Sequence, residues 1–337
     1  MLGSYRLCLA LLVALSHGGI MVRGLNPGVV AVVGFYIVSG YVMTGLLRTH
    51  YGDVRNVARF YSDRLLRIYP HYLAVACVTL AWYAIYGVRT DYLRIPPGLI
   101  DIARNILVIP LNFYMFNQSD QFTLVPPAWS LGAEMQFYVV TPFLLLTGPN
   151  VRRIALALSI VVFVLAAYGT IDSDSFGYRL LPGILFVFLL GSLLYDMHRQ
   201  ERAPRRRRIL VGTVVSGVVV LGVALATAGK LVLPYNREIL VGLALGIVAV
   251  NALAPLHRNL ADDMLGNLSY GVFLNHFLVM WIVFGGKVVG PMQIVAYLAI
   301  SILMSLTLYM AIERPILALR RKLRERPDAA FALPRHA

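Results

Sequence analysis

Apolar runs close to twenty residues long, separated by short arginine-rich stretches, recur from one end of the chain to the other. Each is near the length a helix needs to cross a hydrocarbon core about 30 Å thick. The pattern predicts ten membrane-spanning helices, over 5–22, 29–47, 70–87, 131–147, 154–170, 179–197, 209–228, 237–253, 268–285 and 290–312. The fold class expected is therefore all-α, a polytopic bundle embedded in the bilayer. Between spans three and four, the stretch PPGLIDIARNILVIPLNFYMFN is apolar but interrupted by Asp101, Arg104 and Pro110. Its core, 98–116, is expected to lie in the interface or to re-enter the membrane.

Charge then sets the orientation. The chain has 337 residues, 59% of them hydrophobic and 14% charged, and a net charge of +14. In a soluble protein that charge would suggest nucleic acid. Here the excess of arginine in cytoplasmic loops explains it, so no nucleic-acid partner is expected. If the N-terminus lies inside, the inner segments together with Arg6 hold 22 of the 30 Lys and Arg residues. Both termini are thereby expected in the cytoplasm, in the inner membrane. A full crossing by 98–116 would turn RRRR at 205–208 outward, against that rule. Residues 1–318 read as the membrane domain and 319–337 as a basic cytoplasmic tail. The N-terminal run resembles a signal peptide but lacks an A-x-A-like site, and is read as a retained anchor. Cys8 and Cys77 both fall inside predicted spans, so no disulfide framework is implied. No internal repeat of the kind that builds many transporters is visible.

Polar residues within the spans are the candidates for chemistry, because each is costly in lipid. Arg6 and His17 are eleven residues apart, which on an α-helix is close to three full turns and about 16 Å. They share a face, with Arg6 at the inner interface and His17 near the midplane. Imidazole is the usual general base near neutral pH; a histidine hydrogen-bonded to a neighbouring helix is the alternative reading. In ARFYSDRLLRIYPHY, Arg64 and Arg67 stand on one helical face, suited to phosphate recognition or to generic cytoplasmic charge. Pro70 is expected to open the next span, leaving His71 at the interface.

Glu134 is a lone carboxylate at membrane depth in an otherwise uncharged span, expected to orient a histidine, hold an arginine or pair structurally with a cation. His276 lies within span nine, nearly on one face with Ser269, as a site residue or a buried structural one. Ser39-Gly40 reads as a site of close helix packing, or of backbone approach to a ligand. Glu313 and Arg314 are expected in the inner interface. No metal ligand set was found.

Taken in order over roughly residues 5–318, these segments resemble the acyltransferase-3 family of integral membrane O-acyltransferases. Arg6…His17 is similar to the family's R-x10-H, and Arg64-Leu-Leu-Arg67 to its cytoplasmic R-x-x-R. Phe35-Tyr36-x-x-Ser39-Gly40-Tyr41 resembles its F-F-x-x-S-G-F, and Trp129-Ser130-Leu131-x-x-Glu134-x-x-Phe137-Tyr138 its W-S-L-x-x-E-x-x-F-Y. Ser269-Tyr270…His276 and Glu313-x-Pro315 resemble its closing motifs. Val33 stands where members often carry an acidic residue. The resemblance is to the stand-alone type, without a fused esterase-like domain.

The resemblance implies His17 as catalytic base and Glu134 as a second catalytic residue. It implies Arg6, Arg64 and Arg67 as holding an acyl-CoA, acetyl-CoA in the commonest case, and Ser39, Tyr270 and His276 as substrate contacts. No permanently bound cofactor is implied; acyl-CoA is a co-substrate. The acceptor would be a hydroxyl of a surface polysaccharide, a lipid-linked sugar or another hydroxylated molecule. A transporter or flippase using the same intramembrane His and Glu is the rival reading.

Overall fold

A computed structural model describes residues 1–87, 89–199, 204–256 and 259–325, with side chains up to 320. The described residues form helices and three isolated β-bridges. In chain order the helices are α1 Leu2–His17, α2 Pro27–His50, α3 Val57–Tyr86, α4 Leu99–Leu107, α5 Tyr114–Asn117, α6 Ala128–Leu146, α7 Pro149–Ala167, α8 Leu181–Arg199, α9 Pro204–Thr227, α10 Asn236–Leu253, α11 Leu260–Phe284, α12 Gly290–Leu308 and α13 Arg314–Glu325.

Eight helical segments among the described residues are long and apolar enough to cross a membrane, or nine if the bent pair Leu99–Leu107 and Ile109–Asn117 is one span. That pair turns through 106°, at Val108, so the segment expected to be interfacial or re-entrant is a broken one. Two of the ten expected spans fall short of the test: α1, which is too short, and α6. These are the helices that carry Arg6, His17 and Glu134.

Burial separates the helices into a centre and a rim. α2, α8 and α11 are buried along most of their length, whereas α9 turns apolar residues such as Val219, Val220 and Val223 outward. A helix apolar all round yet exposed in this way needs lipid against it.

Small residues allow the central helices to touch. A Cβ on Gly40 would lie 1.8 Å from the Phe188 carbonyl oxygen, and one on Gly191 2.0 Å from that of Ile37. The α2–α8 contact is therefore backbone on backbone, as the Ser39-Gly40 pair led us to expect. Gly40→Val is expected to lower the unfolding temperature of the detergent-solubilised protein by several degrees, since overpacking costs about 1–3 kcal/mol or more. Gly212→Val, where nothing lies within 4 Å, serves as the neutral control.

Three boundaries differ from expectation. Pro70 lies inside α3, which runs unbroken from Val57 to Tyr86; neighbouring helices in a bundle can absorb the lost hydrogen bond. His71 is consequently buried rather than interfacial, at 1% exposure. α1 ends at His17 instead of continuing to 22, so His17 closes the helix and does not sit midway along it.

The last span continues past 312 through a π-helical turn at Tyr309–Glu313 into α13. The boundary read at 318 falls inside that helix, and Arg320 is buried against Asp63 of α3. Residues 326–337 of the expected tail lie outside the described residues.

Candidate active site

α1 and α11 lie side by side and run in the same direction. At their starts, Asp262 accepts hydrogen bonds from the backbone N–H groups of Gly3 (3.1 Å) and Ser4 (2.8 Å), satisfying first-turn donors of α1 that have no cap of their own. At their far ends His17 meets His276. This shared register gives the site two ends.

At the first end is a cavity of about 990 Å³. It is walled by the start of α1, α2 from Val32 onward, Arg64 and Arg67 of α3, α6 between Ser130 and Tyr138, α11 as far as Phe273, and the close of the last span. Arg6, Arg64 and Arg67 all line it, joined by Arg314 and Arg320; Glu134, Asp262 and Asp263 are its acidic lining. The guanidiniums are braced rather than free. Fully buried Asp63 pairs with Arg64 and accepts from Arg320 Nε at 3.0 Å.

Arg67 pairs with Glu313, donates to the Asn267 side-chain oxygen (3.3 Å) and lies over the Tyr270 ring at 5.5 Å. The Tyr270 hydroxyl in turn donates to the Ile68 carbonyl (3.0 Å). His71 Nδ1 is 3.6 Å from Glu313. Glu313, expected in the interface, is thus buried beneath the cavity wall.

Glu134 lies in the second turn of α6. One of its oxygens accepts from the Ser39 and Tyr138 hydroxyls, both at 2.6 Å. Ser39, Glu134 and Tyr138 therefore form one fixed acceptor group on the cavity wall, and the hydrogen bonds of Glu134 come from hydroxyls, not from a histidine or an arginine.

His17 and His276 form the second element. His17 Nδ1 and His276 Nε2 are 3.0 Å apart, and His276 Nδ1 is 3.0 Å from the Val272 carbonyl oxygen. A carbonyl only accepts, so Nδ1 of His276 must donate to it. Neutral His276 then offers a lone pair at Nε2, which takes the Nδ1–H of His17. The consequence is that His17 carries its own lone pair on Nε2, the nitrogen turned away from its partner. His276 is fully buried, while His17 keeps exposed surface and packs on Phe277 at 4.7 Å. The cavity lining extends up α11 as far as Phe273, whose ring is 6.4 Å from that of His276; neither histidine lines the cavity itself.

Chemically, then, one end can bind an anion and a polar chain, and the other presents an oriented base. The structure brings Arg6, Arg64, Arg67, Ser39, Glu134 and Tyr270 to one cavity, and pairs His17 with His276 beyond it, towards the other ends of α1 and α11. Sequence reasoning missed Asp63, Asp262 and Arg320. Asp63 lies within the quoted R-x-x-R stretch, but its partner is 257 residues away.

A family model described as an acyltransferase domain matches residues 5–310. Among curated proteins, the chain is 24% identical over 293 residues to the exopolysaccharide production protein ExoZ of Rhizobium meliloti, covering 84% of this chain and 87% of that one. It is 38% identical over 159 residues to an uncharacterized protein of Aquifex aeolicus, covering 47% of this chain and 71% of the other. To the O-acetyltransferase OatA of Staphylococcus aureus it is 28% identical over 132 residues, 36% of this chain and 21% of OatA. No solved structure matches. With the family model spanning nearly the whole chain, over a helical membrane bundle, the protein belongs to the acyltransferase-3 family of membrane O-acyltransferases.

Proposed function

We propose that the chain transfers an acetyl group from acetyl-CoA to a hydroxyl of a carbohydrate, a surface polysaccharide or a lipid-linked sugar, in the cytoplasmic membrane. The observation that carries this reading is the hydrogen-bond relay Val272–His276–His17, which leaves Nε2 of an accessible imidazole as the base. Nε2 removes the proton of the acceptor hydroxyl as its oxygen attacks the thioester carbonyl. The C–S bond breaks, the ester forms, and the proton returns from the imidazolium to the departing thiolate, giving CoA-SH.

The donor end follows from charge. Arg6, Arg64 and Arg67 line the cytoplasmic mouth, as the arginine distribution of the loops supports, and hold the phosphates of CoA. From there to His17 is about 16 Å along α1, a span for the extended pantetheine arm. Glu134 shares this cavity, and we read it as positioning the donor rather than as a partner of His17. The names of ExoZ and OatA, exopolysaccharide production and O-acetyl transfer, agree with a carbohydrate acceptor and an acetyl donor.

Acetyl-CoA binding to purified protein tests the donor site without knowledge of the acceptor. Wild type is expected to bind acetyl-CoA, and Arg64→Ala/Arg67→Ala to bind it at least tenfold more weakly at unchanged folding. Folded wild type that does not bind acetyl-CoA would exclude this reading.

A further inference from the structure

The end of the bundle opposite the arginine cavity carries a second constellation, centred on Arg179. Its guanidinium stands over four aromatic rings: Trp129 at 4.4 Å, Tyr114 and Tyr178 both at 5.2 Å, and Tyr235 at 5.6 Å. Asp174 accepts from its Nε at 2.6 Å. These groups come from separate segments: the bend after α4, the start of α6, the turn before α8 and the loop before α10. No single element needs such a cluster for its own packing. Tyr114, Trp129 and Tyr235 each keep part of their surface accessible.

Two backbone irregularities coincide here. Arg179 ends a π-helical turn, Ser175–Arg179, a conformation that collects at functional sites. Tyr235 has φ of +63°, in the left-handed region, which a bulky residue rarely adopts. Both bring a side chain into the same basket.

The basket lies on the same side of the bundle as His17. α1 ends, α6 begins and α8 begins at this side of the bundle, which is why His17 and Trp129 share it. Tyr92, in the loop after α3, stands beside the histidine pair: its ring is 5.4 Å from Phe277, which packs on His17 at 4.7 Å. Burial raises the Tyr92 hydroxyl's pKa, and the charge of Arg179 opposes that rise.

We infer that this aromatic basket is the acceptor subsite, and that it takes a carbohydrate ring presented from the side opposite acyl-CoA. The C–H edges of a pyranose carry partial positive charge and pack on the negative face of an aromatic ring. Arg179 and Asp174, already oriented by one another, offer a donor and an acceptor to ring hydroxyls at the rim. Sugar and thioester then meet at His17 from opposite directions, which keeps the two substrates from competing for one mouth. The inference rests on the transferase reading above and deepens it.

The test uses purified full-length protein, with cellotetraose, maltotetraose and chitotetraose as probes in saturation-transfer NMR and acetyl-CoA binding measured alongside. At least one oligosaccharide is expected to bind through its ring C–H protons. Trp129→Leu and Tyr114→Leu, which leave the Arg179–Asp174 pair intact, are each expected to weaken it about tenfold or more with acetyl-CoA affinity unchanged. Arg179→Lys is expected to weaken it as well. Failure of all three sugars to bind protein that still binds acetyl-CoA would overturn the subsite, as would sugar binding indifferent to all three substitutions. Sugar binding that follows these variants in protein that never binds acetyl-CoA would support the subsite and sink the donor assignment instead.

Discussion

His17→Ala is expected to lower acetyl transfer by about 10²- to 10⁴-fold, the contribution typical of a positioned general base. The affinity for acetyl-CoA is expected to stay within about twofold of wild type, because the proposed phosphate contacts lie elsewhere: Arg6 is about 16 Å away along α1, and Arg64 and Arg67 are on α3 in the same cavity as Arg6. That split between turnover and donor binding separates a base from a structural histidine, whose loss would disturb both. His276→Ala is expected to cost less, since His17 remains but loses the acceptor that fixes its Nδ1–H and aims Nε2. Equal losses of turnover and of donor affinity in His17→Ala would remove it from the role of base.

Asp63→Ala is expected to be among the most destabilising single changes in the protein. The carboxylate has no exposed surface, and it is held between the guanidiniums of Arg64 and Arg320. Removing it leaves two buried cations close together with their common counter-ion gone, a defect worth about 3–5 kcal/mol. Thermal unfolding in detergent measures the loss. Asp63→Ala/Arg320→Met, which also removes one of the stranded charges, is expected to recover part of it. The same change should weaken acetyl-CoA binding, because Asp63 holds Arg64 at the cavity wall. A variant with an unaltered unfolding temperature would mean that the pair contributes nothing to the junction between α3 and α13.

How far the sequence carried depended on what each feature rests upon. The apolar runs located the spanning helices because lipid acts on each helix separately. The two expected spans that fall short do so for different reasons: α1 stops at His17 and is too short, whereas α6 is long enough but has Glu134 and Gln136 in place of apolar residues. Pro70 misled because a rule drawn from helix starts was applied inside a bundle, where neighbours tolerate an interior proline. Candidate site residues were visible as polar residues in costly places. Their pairing was not: His17 and His276 are 259 residues apart, and nothing local announces that one orients the other. Asp63 and Arg320 escaped for the same reason, each looking like ordinary cytoplasmic charge. The basket around Arg179 was invisible because Tyr114, Trp129 and Tyr235 come from three segments distant from the turn that carries Asp174, Tyr178 and Arg179.

The central claim, an acetyl-CoA-dependent O-acetyltransferase with His17 as its base, is tested most directly by following the label from [14C]acetyl-CoA. Membranes from cells making wild type or His17→Ala at matched levels would be incubated with the donor, and alkali-labile radioactivity in the glycan and glycolipid fractions counted. Wild-type membranes are expected to build up such an ester while releasing CoA, and His17→Ala membranes to fall to background. Equal labelling in the two, or none in wild type despite bound acetyl-CoA, would contradict it.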